Sequence, residues 1–127
     1  MSNSSTRELI LAHWQFANDR DWQGFGALLH ADLQYEVPQT REYIQGGHGY
    51  LEMFRTWPGD WQAVVQGLVC EPGKVACVID FVVGDEIMTG ISIFEIAAGR
   101  IIKVTDYWPT PYDPPARQTP HLKRRAP

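Results

Sequence analysis

The second half of the chain decides its fold. Four long apolar-rich segments, residues 61–70, 74–83, 86–96 and 100–108, are separated by Pro72-Gly73, Gly84-Asp85 and Ala98-Gly99. Each separator has the length and composition of a two-residue hairpin turn, so the segments predict an antiparallel four-strand meander. Such a sheet needs a covering layer, and the first half supplies it. Ser5-Thr6-Arg7-Glu8 has the form of a capping box and predicts a helix from near Thr6. That helix carries Ile10, His13, Trp14 and Ala17 on one side and stops near Asn18-Asp19. A second short helix is predicted over 22–29 and a strand over 33–37, ended by Pro38. A third helix, over 47–57, puts Tyr50, Met53, Phe54 and Trp57 on one side. Helices first and strands afterwards predict an α+β fold, three helices on one face of a curved, mostly antiparallel sheet.

With 127 residues, 44% of them hydrophobic, the chain is sized for one domain with a real core. That domain is expected over 1–115, with a Pro-rich basic tail over 116–127. Residues 1–108 carry 14 acidic and 7 basic side chains, whereas 109–127 carry one acid and four bases. An acidic body gives no electrostatic footprint for nucleic acid, and Lys123-Arg124-Arg125 is too short to supply one. No apolar run is long enough to span a membrane. The opening Met-Ser-Asn-Ser-Ser-Thr lacks the features of a signal peptide, so a cytoplasmic location is expected. Cys70 and Cys77 flank the Pro72-Gly73 turn as diagonal neighbours, spaced too far for an easy disulfide, so both are expected reduced. Histidines at 13, 30, 48 and 121 form no metal-binding pattern. Gly46-Gly47-His48-Gly49 lacks the lysine of a phosphate-binding loop and is expected to be a helix entry.

The last strand places Asp106 on one face with Ile102, Val104 and Trp108. A carboxylate among large apolar groups is costly unless paired, protonated or employed. Counting through regular turns sets Val78 against Ile91, Ile91 against Asp106, Asp80 against Thr89 and Thr89 against Trp108. The predicted inner face therefore holds Trp61, Ala63, Val65, Val78, Asp80, Val82, Thr89, Ile91, Ile93, Val104, Asp106 and Trp108. A one-residue shift in pairing would exchange the faces. The other face, with Val64, Leu68, Val75, Ile79, Phe81, Met88 and Phe94, is apolar enough to predict a homodimer.

Tyr35-Glu36-Val37-Pro38-Gln39-Thr40-Arg41-Glu42, Pro58-Gly59-Asp60-Trp61 and Thr105-Asp106-Tyr107-Trp108-Pro109 resemble a bacterial subfamily of the nuclear-transport-factor-like superfamily. The resemblance covers residues 7–115 and is nearest to the SnoaL-like polyketide cyclase branch. It implies a cone-shaped half-barrel with the three helices on its concave face. It also implies that Asp106 matches the acid/base aspartate of SnoaL-like cyclases. Compared with ketosteroid isomerase, the general base falls on Val37, the oxyanion-hole aspartate on Ile91 and the catalytic tyrosine on His13, so simple steroid isomerisation is not expected. Compared with limonene epoxide hydrolase, Asp80 and Asp106 match the two carboxylates, but Val78 stands where the bridging arginine belongs.

The expectation is thus a cofactor-free cyclase or isomerase acting on a small apolar or aromatic carbonyl compound. Asp106 would abstract a proton and His13 would donate to the developing enolate. Trp14, Tyr50, Met53, Phe54, Trp57, Trp61, Val78, Asp80, Thr89, Ile91, Val104 and Trp108 would line the pocket, although the aromatic residues also suit an ordinary core. A binding protein with the same pocket and no chemistry is the rival class, and an epoxide hydrolase the second. Gln39 and Arg41 are placed near the mouth.

Overall fold

The computed structural model describes residues 2–127. Its elements run α1 (Asn3–Asp19), α2 (Trp22–Ala27), β1 (Leu29–Val37), β2 (Glu42–Gln45), α3 (Gly47–Thr56), β3 (Trp61–Glu71), β4 (Lys74–Val83), β5 (Glu86–Ala97) and β6 (Arg100–Tyr107). One six-stranded sheet has the order β2-β1-β6-β5-β4-β3. All its pairs are antiparallel except β1 with β6. The sheet is curved and unclosed, and the helices cover its concave face, as expected. Beyond Tyr107 the described chain contains no helix or strand and is largely exposed.

The three predicted turns are present: Glu71 pairs with Lys74, Val83 with Glu86, and Ala97 with Arg100. The register between them is not the regular one. Gln66 is an extra residue in β3, and Ile102 an extra residue in β6. Each bulge reverses the side on which later residues point. β4 and β5 therefore turn Val75, Cys77, Ile79, Ser92 and Phe94 inward, all 1% exposed or less. Val78 and Ile91 face outward at 38% and 39% exposure, and Asp80 and Thr89 share that outer face. The inner-face expectation thus holds for Trp61, Ala63, Val104 and Asp106, and fails for Val78, Asp80, Val82, Thr89, Ile91 and Ile93.

α1 begins earlier than the capping-box pattern predicts. Ser2 is the cap, accepting from Ser5 N–H at 3.1 Å. Thr6 instead turns inward and accepts from Gly73 N–H at 3.3 Å, tying the helix to the first hairpin turn. At the other end Asn18 makes two 2.8 Å bonds to the backbone of Ala63, occupying groups that the edge strand β3 would otherwise leave open. β2 was not foreseen. At the start of α3, a Cβ on Gly47 would lie 2.6 Å from the His30 carbonyl oxygen, so glycine there serves close packing.

Cys70 pairs with Val75 and Cys77 with Leu68, as the turn predicts, and both thiols are free. Burial pushes the Cys77 thiol up to about 11. A thiol reagent at pH 8 should therefore modify Cys70 in the native protein, and Cys77 only as the fold opens. Equal native rates for the two would contradict this packing.

Candidate functional site

Asp106 lies inside the cone at 5% exposure. The bulge at Ile102 sets it opposite Ser92 rather than Ile91. Ser92 Oγ donates to Oδ1 at 2.6 Å, and Tyr35 Oη donates to Oδ2 at 2.7 Å. Tyr35 reaches it because β1 runs parallel to β6, with Tyr35 paired to Val104. Burial raises the Asp106 pKa above the usual aspartate value, while the bonds from Ser92 and Tyr35 and the Trp108 indole favour the anion and limit the rise. The tyrosine responds in kind. Burial and the neighbouring carboxyl push its phenol well above the ordinary range.

His13 is fully buried on α1 and ringed by Trp14, Phe25, Phe94, Phe54 and Tyr50 at centroid distances of 4.4 to 5.8 Å. Its Nε2 shares a 2.8 Å hydrogen bond with Tyr50 Oη, and its Nδ1 has no partner among the described residues. Desolvation lowers its pKa to about 3, so the imidazole is neutral at physiological pH. Tyr50 and Tyr35 stand with rings 5.4 Å apart, placing two polar pairs, His13–Tyr50 and Tyr35–Asp106, in sequence through an aromatic interior.

The other predicted site residues divide by face. Trp14, Tyr50, Phe54, Trp61 and Val104 are buried core; Met53 and Trp108 pack partly against it; Trp57 is 50% exposed at the rim. Val78, Asp80, Thr89 and Ile91 do not line the interior. Asp80 accepts from Thr89 Oγ1 at 2.6 Å and from Gln66 Nε2 at 2.8 Å on the outer surface. Because Asp80 and Asp106 lie on opposite faces, they cannot hold one water between them. Gln39 stands beside Trp108, accepting from its backbone N–H at 2.7 Å, and Arg41 is exposed. Two surface hollows, of about 170 Å³ by Tyr43, Gln45 and Lys103 and about 340 Å³ by Val69, Ala76 and Ile93, contain neither Asp106 nor His13. Sequence reasoning missed both hydroxyl partners of Asp106. Gly67, next to the Gln66 bulge, was the one available sign that the register breaks.

The profile of the SnoaL-like domain family matches residues 10–104. No curated protein matches the chain significantly. Among solved structures, a candidate ketosteroid isomerase from Kribbella flavida is 38% identical, with a TM-score of 0.91 over 98% of this chain and 92% of its own. A candidate polyketide cyclase from Xanthomonas campestris is 19% identical, with a TM-score of 0.67 over 84% of this chain and 92% of its own. An LEH-like epoxide hydrolase from M. tuberculosis is 18% identical, with a TM-score of 0.70 over 84% of each chain. The last two likenesses concern the fold alone.

Proposed function

Since the chain belongs to the SnoaL-like domain family, we propose that it moves a proton at the carbon beside the carbonyl of a small, largely apolar compound, leading to isomerisation or ring closure. The observation that carries this reading is a desolvated Asp106 with one hydroxyl donor on each oxygen, on the face where helices and sheet enclose an aromatic interior. A raised pKa makes the carboxylate a better base toward carbon near neutral pH. Asp106 takes the proton and the C–H electron pair becomes an enolate; Asp106 then returns that proton either to a second carbon of the enolate or to the alkoxide formed when the enolate attacks an electrophilic carbonyl carbon. With Asp106 neutralised, the Tyr35 and Ser92 hydroxyls lose their charged acceptor, and both become donors available to the enolate oxygen. His13, expected to donate to the enolate itself, is instead assigned a place one step back, holding Tyr50, since it is fully buried with its bonded nitrogen committed.

The test is wash-in of deuterium. A panel of small cyclic and conjugated ketones in D2O should acquire label beside the carbonyl faster with the protein than with buffer. No acceleration across the panel would remove the enzymatic reading. The rival reading, a binding protein without chemistry, draws on the complete hydrogen bonding of Asp106 and its cover by Trp108.

The outer sheet face supports a proposed homodimer, with Val64 on it as expected but most of its other residues different. Val75, Ile79 and Phe94 are buried inside, whereas Val64, Val69, Val78, Ile87 and Ile91 are exposed at 38% or more on the outer face. Sedimentation at tens of micromolar should give a dimer, and Val78→Lys should shift it to monomer without loss of fold. A wild-type monomer at that concentration would refute this.

A further inference from the structure

Among the groups that cover Asp106, Trp108 is the one that lies nearest the surface, its indole favouring the carboxylate from beside it. Trp108 follows the end of β6, and its backbone N–H is held by the Gln39 side chain rather than by a strand. Its ring rests on β5 at Gly90. A Cβ there would lie 2.5 Å from Cε3, 2.5 Å from Cζ3 and 2.8 Å from Cδ2. Three ring atoms at nearly equal distance mean that the indole presents its face to bare backbone. The other inward positions of β5, Ser92, Phe94 and Ile96, carry side chains, so Gly90 is where a flat ring fits on this strand. Phe81 walls the same spot, its ring 6.1 Å from Trp108 and nearly perpendicular to it, and stacks in turn on Trp61 at 5.1 Å. Gly90 is buried beneath an indole that is itself only half-buried.

We propose that Trp108 is the displaceable occupant of a ring-binding slot, floored by Gly90 and walled by Phe81, which the planar part of a ligand takes over as its reacting carbon reaches Asp106. This rests on the assignment of Asp106 as the reacting carboxyl. Its floor is bare backbone that an indole face covers, so the ligands that suit it are flat: fused or conjugated rings with a carbonyl or hydroxyl at one edge. Puckered saturated rings forfeit that face contact. Trp108 sets both the affinity, because it must leave, and the choice of ligand, because its successor must match its shape.

Calorimetric titration with 2-naphthol, a flat ring bearing one edge hydroxyl, tests the slot without requiring turnover. Trp108→Ala should bind it at least about fivefold tighter than wild type, since the competing occupant is gone. Gly90→Ala should bind it at least about tenfold more weakly, since the methyl fills the floor. Saturated decahydro-2-naphthol should gain nothing from Trp108→Ala. Equal 2-naphthol affinity in wild type and Trp108→Ala, or an unweakened Gly90→Ala, overturns the proposal. If Trp108→Ala fails to fold, the wild-type Trp108 indole N–H resonance, assigned with Trp108→Phe, should move on adding 2-naphthol; an unmoved resonance overturns it equally. Slot binding without deuterium wash-in would instead overturn the proton-transfer reading and leave the slot standing.

Discussion

Replacing Asp106 with asparagine should reduce proton transfer by about 10²–10⁴-fold while leaving the melting temperature unchanged or higher. The two effects separate because the carboxyl costs the fold something and gives the chemistry everything. Asparagine keeps the shape and one acceptor, removes the buried charge, and cannot accept a proton from carbon. Ser92 and Tyr35 retain a polar partner, since the amide nitrogen donates to whichever hydroxyl oxygen faces it. Were Asp106 purely structural, the same change would instead cost about 1–3 kcal/mol through broken hydrogen bonds. Paired thermal melts and wash-in rates on the two proteins decide it. A fall in both, or in melting temperature alone, contradicts the assignment.

The second large effect concerns acid. His13 is held neutral with a pKa of about 3, against an ordinary histidine value of 6.5. Above pH 6.5 neither folded nor unfolded chain protonates it. Between 6.5 and 3 only the unfolded chain does, so stability falls as pH falls, by about 1.4 kcal/mol per unit. At pH 4.5 the loss is about 2.7 kcal/mol, a sizeable share of the roughly 5–15 kcal/mol typical of a domain. Asp106 works the other way, because its raised folded pKa lets the folded state take up a proton first as pH drops. The histidine effect is isolated by His13→Gln, which can still bond Tyr50. Urea unfolding at pH 7 and 4.5 should show wild type losing about 2–3 kcal/mol more than this variant. Equal losses would mean that His13 titrates normally and is not sealed in the core.

The fold was largely legible because its strongest signals are local. Pro72-Gly73, Gly84-Asp85 and Ala98-Gly99 mark turns by chemistry that does not depend on the rest of the chain. The four strands and three helices followed within a few residues at each end, whereas β2, four residues without apolar alternation, left no comparable sign. The site was less legible because it depends on register. Val75-Ala76-Cys77-Val78-Ile79 is apolar on both faces, so alternation could not report which side of β4 is buried. The bulges at Gln66 and Ile102 then reversed β4 and β5 while leaving Trp61, Ala63, Val104 and Asp106 on the predicted side. Asp106 was therefore found, but its neighbours were misread: Ile91, expected across from it, faces outward, and Ser92 takes its place. Tyr35 was visible only as part of a motif, since its reach to Asp106 depends on the parallel pairing of β1 with β6.

Asp106 is assigned as a desolvated carboxyl tuned to accept a proton, and its own titration decides the assignment. In protein labelled with ¹³C at aspartate carboxyls, Asp106→Asn identifies the resonance by its loss, and a pH series gives its midpoint. The midpoint should lie clearly above the ordinary aspartate value of 3.8. A midpoint at or below that value would show that Ser92 and Tyr35 stabilise the anion more than burial opposes it, and would contradict the proposed role as base.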